Sequence, residues 1–196
     1  MDISTELKRK LFHNLSVVYM LLYALLPRAF VLWFLFVVLA ALSGVEFLRL
    51  RRPELNAKLL QTFGGIHRQS EITGPSGIFW TLLGCWLTMV FFTSKRIVLP
   101  ALGFMAFGDA LAAIAGRKWG RRPWKANSAK TYEGSLACLG VCIAWAMLFV
   151  RWPVAISAAI IAAWIESRPL PYNDNLWVPV VSGMSLSVLN LVLGRH

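Results

Sequence analysis

Apolar positions in this chain come in long uninterrupted runs, not in the alternation of a half-buried strand or the single stripe of a soluble helix. The runs cover residues 11–26, 29–47, 76–92, 97–116, 135–150, 153–165 and 176–194, with short polar connections between most of them. A run of about 20 residues, rising 1.5 Å each, matches a hydrocarbon core of roughly 30 Å. The pattern therefore predicts an all-α, polytopic integral membrane bundle of about seven transmembrane helices, forming a single membrane-embedded domain over 1–196. The sixth run has only 13 residues and is short for a full crossing. The first follows Lys8-Arg9-Lys10 as a signal peptide would, but Leu26-Pro27-Arg28 is a poor cleavage site, so a retained helix is expected. The longest polar connection, 48–75, holds a candidate interfacial helix over 55–63, stopped by Gly64-Gly65, before Gly74-Pro75 turns into the third run.

Composition agrees: 58% of residues are hydrophobic and the mean hydropathy is +0.62. The net charge of +11 accompanies no soluble domain or nucleic-acid motif, so a nucleic-acid partner is not expected. Cys85, Cys138 and Cys142 all lie inside apolar runs, an odd set without CxxC spacing, which argues against a disulfide framework or a zinc site. The three histidines are scattered.

With seven crossings, the N-terminus and the loops after spans two, four and six share a side. That side carries fifteen Lys and Arg, and the other carries five: Arg28, Lys95, Arg96, Arg151 and Arg195. The positive-inside bias puts the N-terminus in the cytoplasm and the C-terminus outside. All nine acids also fall on the cytoplasmic side or within reach of it, so polar chemistry gathers on one face.

The segment 97–134 concentrates that chemistry. It reads IVLPALGFMAFGDALAAIAG and then RKWGRRPWKANSAKTYEG. Asp109 lies inside an apolar run, where an ionisable group is costly unless paired, hydrated or metal-bound. An internal ion pair and a functional carboxylate both fit it. Gly108, Ala112 and Gly116 recur every four residues, a spacing that lets a neighbouring helix approach closely and turns Asp109 toward protein. The loop then brings Arg117, Lys118, Arg121, Arg122, Lys125 and Lys130 against one acid, Glu133. Lys130, Thr131 and Gly134 precede a helix start, where free backbone N–H groups favour anions. The GxxxxGK[ST] spacing of a P-loop is absent, and Gly116 and Gly120 do not supply it. Downstream, Glu166 suits either an ion pair with Arg168 or a metal, and Asn173-Asp174-Asn175 opens the last span, where Asn and Asp are also ordinary caps.

The order GDALAAxxGRKWG, AKTYEGS, a later Glu and DNLWVP resembles the CTP-dependent lipid kinases, the membrane family of dolichol, phytol and CTP-dependent diacylglycerol kinases. ELKRKLFH near the start and HRQSEITG at 67–74 are similar to its N-terminal half, so the resemblance covers most of the chain. It implies a helical membrane fold, CTP as donor, Mg²⁺ and a lipid alcohol acceptor. It carries over Asp109 as the essential acid and Lys130, Thr131, Glu133 and Gly134 as a motif. Thr131 stands where Ser is common, and Asn173 where a second Asp is frequent.

The expectation is a lipid kinase acting at the cytoplasmic face of the cell's inner membrane. Asp109, Lys130 and Glu133 are its catalytic candidates. Arg117, Lys118, Gly120, Lys130, Thr131, Gly134 and Asn175 are candidates for nucleotide binding, and Asp109, Glu166 and Asp174 for Mg²⁺. A cytidylyltransferase forming a CDP-lipid uses the same donor and remains an alternative. So does a small membrane transporter or assembly protein, although that reading calls for polar groups along a through-going path.

Overall fold

The computed structural model describes residues 15–62 and 71–194; Lys8 to Lys10, the start of HRQSEITG and the last two residues lie outside them. The helices are α1 (Leu15–Leu25), α2 (Arg28–Arg51), α3 (Pro53–Thr62), α4 (Gly77–Phe91) and α5 (Lys95–Gly103). A π-helical turn, Phe104–Gly108, joins α5 to α6 (Asp109–Trp119). A two-stranded hairpin, β1 (Pro123–Trp124) and β2 (Asn127–Thr131), then leads into α7 (Tyr132–Ala146), α8 (Trp152–Glu166) and α9 (Asp174–Leu193). The strands are antiparallel, with Pro123 opposite Thr131.

Each of the seven expected runs contains a helix among the described residues, and α3 occupies the place of the interfacial helix. Seven crossings do not follow from this. Among the described residues, three helical stretches are long and apolar enough to span by themselves: Arg28–Arg51, Lys95–Trp119 and Asp174–Leu193. The other four, α1, α4, α7 and α8, have 11 to 15 residues. At 1.5 Å per residue they are about 16–22 Å long, less than a 30 Å core.

The stretch Lys95–Trp119 is the central element, with 61% of its apolar window buried, against 22% for α2 and 28% for α9. On α2 the outward face shows Phe30, Trp33, Phe34 and Val37, the surface that a lipid-facing helix presents. Two cores flank the central stretch. One joins Tyr23, Leu35, Leu82, Met89, Leu102 and Met105. The other is built of small residues, with Ala155, Ala158, Ala159 and Ala162 of α8 against Ala101, Ala112, Cys138, Cys142 and Ala146. Small side chains let helix backbones close up, so van der Waals contact takes over where lipid supplies no hydrophobic drive. The Gly108-Ala112-Gly116 stripe works this way. A Cβ on Gly108 would lie 3.0 Å from the sulfurs of Cys138 and Cys142, and one on Gly116 would lie 2.9 Å from Thr131 Oγ1.

The π turn has identifiable neighbours. Pro100 lacks an N–H for the helix ladder, and Gly103 leaves room for the Trp145 ring, whose Nε1 donates to the Leu99 carbonyl at 3.1 Å. Such widened turns often sit beside functional groups; this one ends at Asp109.

At the start of the 48–75 connection, Arg49 and Glu46 form a buried ion pair at 2.5 Å. Arg49 also donates to Asn56 Oδ1 and to the carbonyls of Glu71 and Gly74. One guanidinium thus ties the end of α2 to α3 and to the segment leading into α4. With every contact inside the protein, it supports structure, not ligand binding.

Candidate active site

Three carboxylates from three helices converge on one ammonium. Lys130, on β2, places Nζ in direct contact with Glu166 Oε1, 3.4 Å from Asp174 Oδ2 and 3.7 Å from Asp109 Oδ1. Asp109 follows the π turn at the head of α6, Glu166 is the last residue of α8, and Asp174 is the first of α9. The Glu166 side chain is 3% exposed, and its Oε2 is buried without a hydrogen-bond partner. Lys130, at 23%, keeps an opening to the surface.

Burial works against the charge on Lys130, but Asp174, Asp109 and Glu166 outweigh it and hold the ammonium above the ordinary lysine range. The surface pair with Arg168, one of the two uses the sequence allowed Glu166, is not what forms. Glu166 turns inward to Lys130, and the Arg168 guanidinium lies over the Trp164 ring at 5.0 Å. Asp109, once open between an ion pair and a ligand role, is in an ion pair, and its partner is the loop lysine.

Local structure explains how these side chains meet. Thr131 caps α7, its Oγ1 accepting from Gly134 N at 3.1 Å, a cap worth about 1 kcal/mol. Gly134 and Gly120 are places of close approach. A Cβ on Gly134 would stand 2.7 Å from the Ala112 carbonyl oxygen, and one on Gly120 would stand 2.8 Å from Thr131 Cγ2. Thr131, Gly134 and Gly120 therefore seat the hairpin on α6 and so aim Lys130.

Asp174 is aimed from its own side. Tyr172 adopts a left-handed φ of 66°, strained for a non-glycine residue by roughly 1–3 kcal/mol. Its ring packs on Trp80, 5.4 Å away, and Asn173 caps α9 by accepting from Asn175 N at 3.0 Å. Asn175 is buried and donates through Nδ2 to Thr81 Oγ1 at 2.9 Å, which commits that side-chain donor to α4.

The remaining candidates stand apart from the cluster in the described contacts. Arg117 and Lys118 are exposed on the last turn of α6. The first bonds the Ala113 carbonyl, and the second lies over Trp119. Glu133 is half-buried, and its Oε2 accepts from Arg122 N at 3.4 Å, bracing the hairpin.

The oxygen donors are of the kind a hard divalent cation takes, yet as arranged they enclose an ammonium. Among the described residues no group of three or more His, Cys, Asp or Glu side chains is set to hold a metal ion. Sequence reasoning assigned Lys130 to phosphates and the three acids to metal, and so missed their mutual pairing. The hairpin that brings them together has no strong pattern, only Pro123-Trp124 and a short polar run.

No family model and no solved structure matches the chain. Curated proteins do match. CTP-dependent diacylglycerol kinase 1 of Saccharomyces cerevisiae is 29% identical over 96% of this chain and 62% of its own length. Phytol kinase of Synechocystis is 29% identical over 72% of this chain and 62% of its length, and the Arabidopsis thaliana dolichol kinase is 30% identical over 79% and 28%. The chain thus spans less than two thirds of these relatives. Three lipid kinases with different named acceptors, one of them named as CTP-dependent, match across most of this sequence, and the chain is similar to them over most of its length.

Proposed function

We propose that the chain transfers the γ-phosphoryl group of CTP to the hydroxyl of a membrane lipid alcohol, at the cytoplasmic face. The observation that carries this reading is the meeting of Asp109, Glu166 and Asp174 around Lys130, beside the exposed cations of the α6 end. Relatives named for diacylglycerol, phytol and dolichol support a lipid alcohol of that general class as acceptor, and the yeast relative supports CTP as donor.

In such a transfer the bond from the γ-phosphorus to the bridging oxygen breaks and CDP leaves with that oxygen. A new bond forms to the lipid oxygen, and the hydroxyl proton is lost. Catalysis is chiefly positioning and charge neutralisation. Lys130, Arg117 and Lys118 are the cations for the phosphates, and a carboxylate of the cluster is the acceptor for the hydroxyl proton. Asp109, Glu166 and Asp174 are the residues that would hold a Mg²⁺ ion accompanying CTP, which would supply neutralisation of phosphate charge. Glu133 braces the hairpin that carries Lys130, which gives it a positioning role in place of the catalytic one expected from sequence.

The purified protein, with lipid extract and labelled CTP, tests the reading. Label on the γ-phosphate should enter the lipid while α-label stays in CDP. Entry of α-label, with pyrophosphate released, would make the chain a cytidylyltransferase.

A further inference from the structure

We propose that Lys130 is the resident cation of the carboxylate cluster and excludes a divalent cation from it until a triphosphate draws the lysine away. This inference rests on the nucleotide-dependent reading above. It gives Lys130 a second role, as the group that makes metal binding conditional on nucleotide.

The first support is geometric. A small divalent cation holds carboxylate oxygens at about 2.0–2.1 Å and demands near-octahedral placement. Nζ already contacts Glu166 Oε1 directly and stands 3.4 and 3.7 Å from the oxygens of Asp174 and Asp109. A metal bridging the same oxygens would share the volume of the ammonium, and two cations cannot occupy it together. The carboxylates are spread around a lysine, which accounts for the lack of a ready metal group among the described residues.

The second support is charge. Three carboxylates gather at one point, and the buried Glu166 Oε2 has no hydrogen bond. That oxygen is the place in the cluster open to a further cation.

The third is the mounting of the lysine. The three acids stand on helices, whereas Lys130 is on a two-stranded hairpin, one residue before the Thr131 cap. Its long side chain can leave by rotamer change without moving a helix. A bound triphosphate offers it alternative oxygens, and its departure opens the carboxylates to the cation that the triphosphate carries.

Mn²⁺ is the probe, with free ion read by its paramagnetic resonance in titrations of the whole protein in detergent or nanodiscs. Wild type should take up Mn²⁺ at one per chain only when CTP is present. Lys130→Met should bind one Mn²⁺ without nucleotide at least tenfold more tightly than wild type, and adding Glu166→Gln should abolish that gain. Tight binding by wild type without CTP, or no gain in Lys130→Met, overturns the proposal. Should Lys130→Met not fold, acetylation of wild type by acetic anhydride, mapped by mass spectrometry, decides it. Lys130 should be protected relative to the exposed Lys118 with Mn²⁺ alone and become several-fold more reactive with Mn²⁺ and CTP; protection unchanged by CTP sinks the idea. Nucleotide-free Mn²⁺ binding together with γ-label in lipid would leave the kinase reading standing, whereas Mn²⁺ exclusion with no label in lipid would remove the kinase reading and keep the exclusion.

Discussion

Asp109 and Lys130 separate two uses of charge at the scale of single residues. Asp109→Asn removes a charge and almost no volume, so the close packing of Gly108 and Ala112 beside it should survive. The expected outcome is loss of lipid phosphorylation with a monodisperse protein still extractable in detergent. Near-normal turnover would make Asp109 a structural partner of Lys130 and nothing more. Lys130 adds a pH prediction. Its folded value is raised above the ordinary 10.5, so its stabilisation is fully present below that value and fades only as pH climbs through the raised one. The difference in Tm between wild type and Lys130→Gln should therefore stay level from neutral pH up to about 10. A difference that collapses between pH 7 and 9 would mean that the lysine is not held by its acids. Asp109 and the glycine stripe were legible in the sequence because a carboxylate in an apolar run and a four-residue period are local signals. That Lys130 is its partner was not, since the pairing joins residues 21, 36 and 44 positions apart through a hairpin whose short strands carry little pattern.

The elements that matter most to the site are those that fix α9 against α4. Pro179 lacks the N–H that would bond the Asn175 carbonyl, and Gly84 packs there: a Cβ on it would lie 2.4 Å from that oxygen and 3.0 Å from Leu176 Cα. Backbone, unlike a flexible side chain, cannot yield cheaply. Gly84→Ala should push α4 from α9, strain the Asn175 bond to Thr81 and move Asp174 from Lys130. The expected result is a destabilisation of about 1–3 kcal/mol, as for overpacking elsewhere, together with a fall in activity larger than unfolding explains. A Gly84→Ala protein with unchanged Tm and turnover would show that this contact does not position Asp174. Helix existence was readable from apolar runs throughout. The details that aim side chains were not: the π turn before Asp109, the left-handed Tyr172 and the Asn175–Thr81 bond each depend on a neighbour distant in sequence. Asn175 could be read as a cap or a ligand from sequence alone; its burial against α4 gives it a third, structural use.

For the whole molecule, the open question is how helices of 15 residues serve a bilayer that calls for about 20. Short spans are accommodated by local thinning or by flanking residues at a modest cost per ångström, so length alone does not decide whether α7 and α8 cross. The ion cluster constrains the answer. Lys130 lies two residues before α7 begins, Glu166 ends α8 and Asp174 begins α9, and all three meet at one point. The start of α7, the end of α8 and the start of α9 are therefore at one depth. Whatever depth α7 reaches, α8 returns from it, and these two helices cancel in the topology. The side of the C-terminal end relative to the hairpin then depends on α9 alone. Its 20 residues make about 30 Å, sufficient for one crossing. A reporter inserted in the hairpin turn at Lys125-Ala126 and another fused after Gly194 should consequently register opposite sides, the hairpin cytoplasmic as the excess of Lys and Arg around it dictates. Both reporters on the cytoplasmic side would mean that α9 does not cross, and the seven-span arrangement would fall with it.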